Sequence, residues 1–194
     1  MNRMPFRTLL FACVAALAWS SPQPAFAQPV EAAGDAAAGQ SETPSARPAD
    51  VASMDAIIKA VYDVISGPKG QKRDWNRMRS LFVPGARLIP ARTDKDGVTM
   101  TAMLSVDDYI RLSSPHLEGA GFFERETRRT VESFGAIAQV FSTYESRHDA
   151  GDAKPFQRGI NSFQLLNDGH RWWVVNIYWQ AARPDLPIPQ QYRG

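Results

Sequence analysis

The chain has a single cysteine, Cys13, and only three histidines among its 194 residues. A single cysteine cannot form an internal disulfide, so the fold must be stabilised by a hydrophobic core rather than by cross-links. No spacing of His, Asp and Glu matches a zinc motif. We therefore expect neither a bound metal nor a cofactor.

Long hydrophobic runs are also lacking. The apolar stretch Thr8–Trp19 is shorter than the roughly 18 residues that a membrane-spanning helix needs, and Ala25-Phe26-Ala27 follows it as a typical cleavage site. This order predicts a signal peptide over residues 1–27, a mature chain beginning at Gln28 and a periplasmic or secreted location without a transmembrane anchor. The alternative is lipid attachment at Cys13, which is disfavoured because the apolar stretch continues past it.

The chain has no large excess of charge of either sign. It contains 22 Lys and Arg and 20 Asp and Glu, a net charge of +2. Arg3 and Arg7 lie in the predicted signal peptide, so the mature chain carries no net charge. The composition therefore gives no support to a nucleic-acid partner.

Two local clusters of charge remain. The basic cluster consists of Lys69, Lys72, Arg73, Arg77 and Arg79. It is interpreted as a solvated helix face, with contact to an anionic envelope surface as the alternative. The cluster of mixed sign consists of Glu124, Arg125, Glu126, Arg128 and Arg129. It is typical of a solvated or salt-bridged strand face.

Composition divides the mature chain into three parts. Residues 28–50 are rich in Ala, Pro, Gly, Ser and Glu, and they have hardly any aliphatic side chain larger than alanine to order them, so they are predicted to form a disordered linker. Residues 51–183 have the size of one domain, and residues 184–194 are predicted to be an extended C-terminal tail.

Three helices are predicted in the first half of the domain. Apolar residues recur there at spacings of three and four, and a capping residue precedes each segment. The predicted helices are Met54–Ile65, Trp75–Phe82 and Val106–Ser113, with Ser53, Asp74 and Ser105 as N-caps. Gly67-Pro68, Pro84-Gly85 and Pro115 are the expected stops.

The second half of the domain is predicted to be a β-meander. An early hairpin is expected at Ala86–Ala91 and Val98–Leu104, and longer strands at Phe123–Val131, Ile137–Arg147, Gly159–Leu166 and Arg171–Gln180. Asn167-Asp168-Gly169 is a tight-turn sequence between the last two strands. Helices followed by such strands predict an α+β fold, with the helices packed on one face of a curved antiparallel sheet.

Three segments carry a resemblance to a known family: Asp74–Ala86, Ile137–Arg147 and Asp168–Val175. Together with the order of elements over Val51–Gln180, they resemble the nuclear transport factor 2-like (NTF2-like) superfamily, which includes the SnoaL-like proteins. The resemblance implies a cone-shaped fold whose mouth can hold a small apolar molecule. It implies no single function, because isomerases, dehydratases, cyclases, hydrolases and proteins of no known activity share this fold.

The resemblance also suggests where a ligand would lie. The candidate ligand-binding residues are Trp75, Tyr109, Gln139, Phe141, Thr143, Asn161, Phe163, Trp173 and Trp179. The aromatic members could equally be plain core. Neutral polar residues are more informative, because burying them without a partner costs about 1–3 kcal/mol.

Two residues are candidate catalytic groups, since proton transfer in an apolar cone requires an acid or base. His116 follows the third predicted helix and could face the pocket, or it could lie at the surface. Asp74 precedes the second helix, where capping is the stronger interpretation.

The last predicted strand is apolar on both faces. Its alternation places Trp173, Val175, Ile177 and Trp179 on one face, and Trp172, Val174, Asn176 and Tyr178 on the other. An exposed apolar sheet face is usually an interface, so we expect a homodimer centred on Trp172 and Tyr178. The alternative is that the tail covers this face within one chain.

Three functions remain open at this point. The first is a binding or accessory module that holds a small apolar molecule in the cone. The second is a lyase or isomerase acting on a hydrophobic substrate, and the third is a structural homodimer whose cone is filled by its own side chains. The volume of the cavity, and an ionisable group inside it, distinguish these functions.

Overall fold

The computed structural model describes residues 43–193. The predicted signal peptide and residues 28–42 of the predicted linker lie outside the described residues. The helices are α1 (Pro48–Val51), α2 (Met54–Ile65), α3 (Trp75–Leu81), α4 (Val106–Ala120) and a 3₁₀ turn at Gln190–Tyr192. The strands are β1 (Phe82–Thr93), β2 (Thr99–Thr101), β3 (Phe123–Phe134), β4 (Ile137–Arg147), β5 (Gln157–Asn167) and β6 (Trp172–Ala181).

The three predicted N-caps are confirmed. The Ser53 hydroxyl accepts a backbone N–H of the first turn of α2 at 3.1 Å, and the Asp74 carboxylate accepts one from α3 at 2.9 Å. Ser105 and Asp108 form a complete capping box at the start of α4. Each cap satisfies N–H groups that have no partner within the helix, which explains why these helices begin where the sequence predicts.

Helix α4 is longer than predicted, because Pro115 lies inside it rather than ending it. A proline removes one backbone hydrogen bond, and the helix continues past this loss on an exposed face. The helix ends at Gly121, whose φ is +77°. A Cβ at this glycine would lie 2.6 Å from the carbonyl oxygen of His148. Both the conformation and the close approach therefore require glycine here.

The six strands form one open, curved sheet in the order β2-β1-β6-β5-β4-β3. The predicted fold class, α+β with helices on one face of a curved sheet, is confirmed. The sheet is not wholly antiparallel, because β1 pairs with β6 in parallel. No hairpin joins β1 to β6, since α4 and four strands lie between them in the chain, so no tight turn fixes their relative direction.

The inner face of the sheet packs on the helices and forms the core. The largest fully buried side chains from α2, α3 and the strands are Ile57, Ile58, Met78, Leu81, Phe82, Val140, Phe163, Leu165 and Val174. None of the four described α-helices has the length and apolar character required to span a bilayer.

A β-bulge in β6 changes the predicted alternation of its side chains. Relative to β5, β6 contains one extra residue, Val175, because its two neighbours pair with consecutive residues of β5. Trp172 and Val174 therefore pack toward the core on the inner face, and Trp173 lies on the outer face. The two faces predicted by strict alternation are exchanged in the first part of the strand.

Residues just before the predicted start of the domain are packed against it. Ala46 contacts the core, and Val51 at the end of α1 is buried. The Asp50 carboxylate accepts two hydrogen bonds from Arg77, at 2.7 and 2.8 Å. The folded region therefore extends upstream of residue 51 into the segment predicted as linker.

The buried guanidinium of Arg73 joins the ends of two helices. Arg73 is 7% exposed and donates to the carbonyl oxygens of Ile65, at the end of α2, at 3.0 Å and of Leu117, in α4, at 2.9 Å. It also donates to the carbonyl oxygens of Gly67 at 2.7 Å and Gln71 at 2.6 Å. This residue was predicted to belong to a solvated basic cluster, and that prediction is wrong.

The other cations of that cluster are largely neutralised. Lys72 pairs with Glu118 at 2.8 Å, and Arg79 pairs with Asp107 at 2.7 Å. Arg77 pairs with Asp50, as described above. The basic side chains of this segment therefore form ion pairs with carboxylates that are distant in sequence. The order of charged residues along the chain does not indicate these pairs.

We predict that Arg73→Lys lowers the free energy of unfolding by about 3 kcal/mol, because one ammonium group cannot reach four carbonyl oxygens and remains buried. Urea unfolding measures the loss. Arg79→Lys is the matched control, since Arg79 lies in a partly exposed ion pair and should lose less than about 1 kcal/mol. Equal losses in the two variants would contradict the role assigned to Arg73.

Candidate functional site

The helices and the inner face of the sheet enclose a cavity of about 120 Å³. An apolar cavity of about 150 Å³ can hold benzene, so this one has room for a slightly smaller molecule. The cone is therefore not completely filled by its own side chains. The cavity is lined by Val61, Tyr62, Ile65, Met78, Leu88, Tyr109, Phe122, Glu124, Tyr144, Gln157, Asn161, Phe163, Ile177 and Trp179.

Glu124 is the only carboxylate residue in this lining. Its position is fixed by backbone contacts between the start of β3 and the end of α2. Phe122 and Gly67 exchange two backbone hydrogen bonds, at 2.7 and 3.0 Å. The backbone N–H of Glu124 donates to the Ser66 hydroxyl at 3.0 Å. These contacts direct Glu124 to the inner face of the sheet at the end where the cavity lies.

The carboxyl group of Glu124 has hydrogen-bond donors but no cation beside it. Ser146 Oγ donates to its Oε2 at 2.8 Å, and Asn161 Nδ2 donates to its Oε1 at 3.4 Å. No Lys or Arg within residues 43–193 forms an ion pair with it. Burial raises the pKa of Glu124 to about 7, and the two hydrogen bonds oppose this shift only in part. Near neutral pH, the neutral and charged forms are therefore both populated.

Three tyrosines line the cavity together with Glu124: Tyr62 from α2, Tyr109 from α4 and Tyr144 from β4. Burial raises the pKa of each hydroxyl, and the negative charge of Glu124 raises it further. All three remain protonated at physiological pH. The cavity thus offers neutral hydroxyl groups beside one carboxyl group that titrates near neutrality.

A chain of hydrogen bonds connects the carboxyl group to the wall of the cone. Asn161 Nδ2 also donates to the Tyr62 oxygen at 3.1 Å, and the Tyr62 and Ser142 hydroxyls lie 2.7 Å apart. Because Ser142 donates to Glu126 at 2.8 Å, the proton between the two hydroxyls belongs to Tyr62. This chain satisfies Asn161 without a ligand, whereas the sequence had suggested that a ligand could be its partner.

Gly159 makes room for one of the tyrosines. It lies directly opposite Tyr144 in the β4–β5 pairing. A Cβ at this position would overlap the Tyr144 hydroxyl and the backbone of Gln180. The absence of a side chain on β5 therefore allows the Tyr144 ring to lie across the strand and reach the cavity.

Four of the predicted ligand-binding residues line the cavity: Tyr109, Asn161, Phe163 and Trp179. Tyr109 and Trp179 meet edge to face, with ring centroids 6.1 Å apart. Phe163 makes the same type of contact with Tyr62 at 6.1 Å. The structure thus brings these four residues together around the site of Glu124.

Three other predicted ligand-binding residues, all in β4, lie on the outer face of the sheet. Thr143 donates to the carbonyl oxygen of Tyr192 at 2.7 Å, and the Phe141 ring lies 5.1 Å from the Tyr192 ring. Gln139 is exposed and accepts a hydrogen bond from Gln164 at 3.4 Å. The alternation along β4 indicates that these three residues share one face of the strand, but it does not determine whether that face points into the cone.

The two remaining tryptophans also lie away from the cavity. Trp75 donates its indole N–H to Glu118 at 3.1 Å beside the core. Trp173, turned outward by the β6 bulge, donates to Asp168 at 2.6 Å, and the Arg171 guanidinium lies 3.6 Å from its ring centroid. Trp173 therefore belongs to the β5–β6 hairpin and not to the cavity.

The two predicted catalytic residues are outside the cavity lining as well. His116 is exposed on α4. Asp74 caps α3 and pairs with Arg47 at 2.8 Å. Neither residue is placed to exchange a proton with a molecule inside the cone.

Sequence reasoning missed Glu124, Tyr62 and Tyr144. Glu124 was grouped with the mixed-sign cluster, in which most members do face other charges, as in the pairing of Arg129 with Glu126. Tyr62 lies on the apolar face of the predicted helix Met54–Ile65, and its hydroxyl is the signal that this face is not purely hydrophobic. Nothing in the alternation distinguishes Tyr144 from a core aromatic.

Within residues 43–193, no group of three His, Cys, Asp or Glu side chains is close enough to hold a metal ion. The chemistry available in the cavity is hydrogen bonding and proton transfer.

The raised pKa of Glu124 predicts a specific pH dependence of stability. The carboxyl group binds its proton more tightly in the folded state, with a pKa of about 7, than in the unfolded chain, where the pKa is near 4.5. Its contribution to the free energy of unfolding is therefore fully present below pH 4.5. As the pH rises toward 7, this contribution is lost, by up to about 3 kcal/mol. Glu124→Gln should remove this loss.

The measurement is urea unfolding of the wild type and Glu124→Gln between pH 4.5 and 8, since the difference between them isolates this one carboxyl group. Glu132→Gln, at an exposed position on the same strand, is the matched control. Should the difference between wild type and Glu124→Gln stay constant across this range, the carboxyl group is not buried as described.

Comparisons with known proteins concern the fold. No protein-family model matches this sequence, and no curated protein is significantly similar to it. Similar solved structures include a protein of unknown function with a cystatin-like fold from Nostoc punctiforme, at 12% identity and a TM-score of 0.49, covering 69% of this chain and 90% of that one.

Two more come from bacteria and are described as NTF2-like proteins of unknown function. The protein from Methylobacillus flagellatus is 18% identical, with a TM-score of 0.44, and the match covers 68% of this chain and 95% of that one. The protein from Silicibacter pomeroyi is 17% identical, with a TM-score of 0.44, and the match covers 67% and 93%. The chain is thus similar to proteins that carry the name of the superfamily its sequence resembles, and none of these three has an assigned function.

Proposed function

We propose that this domain binds a small, mostly apolar molecule carrying one hydrogen-bonding group, with Glu124 as the polar anchor. The observation that carries this proposal is a carboxyl group with a pKa of about 7 in a cavity whose other walls are aromatic and aliphatic except at Asn161 and Gln157, which are neutral. When protonated, the carboxyl group both donates and accepts a hydrogen bond. It can therefore pair with a hydroxyl or a carbonyl group of a ligand.

The size of the cavity limits the ligand. About 120 Å³ accommodates a molecule of roughly six heavy atoms, by comparison with the benzene-sized cavities known in proteins. Such a ligand binds with at best micromolar affinity, because it buries little surface and makes few polar contacts. Larger ligands require the side chains at the cavity wall to move.

Proton transfer is the second candidate function, and the same pKa supports it. A base works best when its pKa lies near the working pH, as that of Glu124 does. The carboxylate would accept a proton from a hydrophobic substrate, and a tyrosine hydroxyl such as that of Tyr109 or Tyr144 would donate a hydrogen bond to the oxygen on which charge develops. This corresponds to the lyase or isomerase alternative, with Glu124 in place of His116 and Asp74.

Export and homodimerisation belong to the proposal as well. The signal-peptide pattern supports a periplasmic or secreted protein that carries its ligand outside the cytoplasm. The outer face of the sheet supports assembly at Phe134 and Ile137, which expose 85% and 61% of their surface. Tyr178 lies instead in a groove that the C-terminal residues cover in part, in line with the alternative that the tail covers this face. Trp172, expected at the centre of this interface, packs toward the core instead.

The binding proposal predicts a preference between two molecules of nearly the same shape. Cyclobutanol should bind about tenfold more tightly than methylcyclobutane, because only the alcohol can pair with the Glu124 carboxyl group and both molecules are smaller than benzene. Calorimetric titration measures both affinities, and quenching of tryptophan fluorescence provides an independent signal, since Trp179 lies in the cavity wall. In Glu124→Leu the preference for cyclobutanol should disappear, while methylcyclobutane still binds.

Glu132→Leu is the control, because it removes a carboxylate from the exposed part of the same strand. A cyclobutanol preference that survives in Glu124→Leu would refute the anchoring role, and the absence of binding by either molecule would refute the cavity as a ligand site. Glu124→Gln separates binding from catalysis: a binder keeps its affinity for methylcyclobutane, whereas an enzyme loses turnover.

A further inference from the structure

The C-terminal segment, residues 183–193, forms a strap across the outer face of the sheet. One end is held where Ala182 N–H donates to the Arg158 carbonyl at 2.8 Å, just before the strap begins. The other end is held by the Thr143 hydroxyl and the Phe141 ring, which both contact Tyr192. The strap is therefore fixed at both ends on the face that is opposite to the cavity.

Between its ends the strap stands away from the sheet. Its middle reads Pro187-Ile188-Pro189, and prolines have no backbone N–H to donate. The strands beneath it, β5 and β6, already have neighbours on both sides, so they offer no free edge for pairing. The strap consequently bridges the sheet without joining it.

The result is an apolar groove of about 280 Å³, more than twice the volume of the inner cavity. Its floor is formed mainly by Phe141, Ile160 and Tyr178, and its roof by Leu186, Ile188 and Tyr192. Ser162 lies in the middle of the floor, opposite both Phe141 and Tyr178 in the strand pairing. Trp179 lines both this groove and the cavity of Glu124, and the other residues of the two linings differ.

A cluster of arginines lies beside one end of the groove. Glu145 is two residues beyond Thr143 on β4, and it therefore points to the same outer face. Arg125, Arg147 and Arg158 all pair with Glu145, at 2.5, 2.7 and 3.5 Å. Three guanidinium groups thus share one carboxylate, and the cluster has a net positive charge.

Arg128 adds a further cation at the same end. It is the direct pairing partner of Thr143, so it also points to the outer face, next to the point where the strap is held. Among the described residues, no carboxylate forms an ion pair with Arg128. Arg158 directly precedes Gly159 of the groove lining, and Thr143, the partner of Arg128, also pairs with Ile160 of the groove floor. One end of the groove therefore lies beside positive charge that the described carboxylates balance only in part.

We propose that this groove binds a free medium-chain carboxylate, with its alkyl chain under the strap and its carboxylate at the arginines. The volume is about twice that of a cavity that holds benzene, which corresponds to a chain of about ten carbons. The apolar floor and roof favour the chain, and the positive charge selects an anionic head group over a neutral or cationic one.

Calorimetric titration with decanoate, below the concentration at which it forms micelles, tests the proposal. Decanoate should bind at a single site with a Kd of about 100 μM, and decanol should bind at least threefold more weakly because it lacks the charge. Binding of the alcohol as tight as that of the carboxylate would overturn the assignment of the head group. The absence of saturable binding would overturn the site.

Matched variants locate the chain and the head group. Ser162→Leu fills the floor of the groove and should weaken decanoate binding at least tenfold, whereas Ser162→Ala should leave it unchanged. The double variant Arg128→Gln/Arg158→Gln should weaken decanoate by about tenfold without affecting decanol. Arg111→Gln, on α4 at the opposite side of the sheet, is its control.

Carbon-13-labelled decanoate gives a readout that does not depend on any variant folding. Its alkyl protons should give intermolecular NOEs to the methyl groups of Ile160 and Ile188 in the groove and none to those of Val61 and Ile65 in the inner cavity. NOEs confined to Val61 and Ile65 would show that the fatty acid occupies the cone, which would refute the groove and support the proposed function instead.

Discussion

The arrangement of the cone depends on the buried guanidinium of Arg73. By donating to carbonyl oxygens at the end of α2, in the following loop and near the end of α4, it fixes where the two helices meet. Burying a cation is costly, and burial lowers the pKa of this arginine, so the hydrogen bonds to several carbonyls are what make the position tolerable. The same junction exchanges backbone hydrogen bonds with Phe122 and so determines where β3 begins. The position of Glu124 two residues later is a consequence of that start.

In the inner cavity, a buried carboxyl group is hydrogen-bonded only to neutral donors. Removing a carboxyl group from water raises its pKa, and most proteins offset this cost with a nearby cation, as this one does for Glu145, whose pKa is lowered to about 2 mainly by its hydrogen bond with Arg147. Glu124 receives only neutral donors, from Ser146 and Asn161. The two glutamates, on opposite faces of the same sheet, are therefore set apart by their surroundings: Glu145 is a permanently charged structural residue, and Glu124 can gain or lose a proton near neutral pH.

The sequence predicted the parts of the fold that depend on local chemistry. The N-caps of Ser53, Asp74 and Ser105 fixed three helix starts, and the order of elements predicted the α+β class. The errors come from non-local features. The bulge at Val175 changes which side chains of β6 face the core, and no turn sequence indicates that β1 pairs with β6 in parallel. Glu124 could not be distinguished from its charged neighbours, because its burial depends on the helix junction and not on its own strand. Four of the nine predicted ligand-binding residues line the cavity, since alternation reveals which residues share a face but not which face is inside.

The central claim is that a carboxyl group inside the cone titrates near neutral pH. Carbon-13 NMR of glutamate side-chain carboxyl groups measures this directly, with the Glu124 signal assigned by its disappearance in Glu124→Gln. This carboxyl signal should titrate with a pKa near 7, well above the value of about 4.3 that is ordinary for a solvated glutamate. A Glu124 signal that titrates at that ordinary value would show that its carboxyl group is solvated, and it would contradict both the anchoring and the proton-transfer roles.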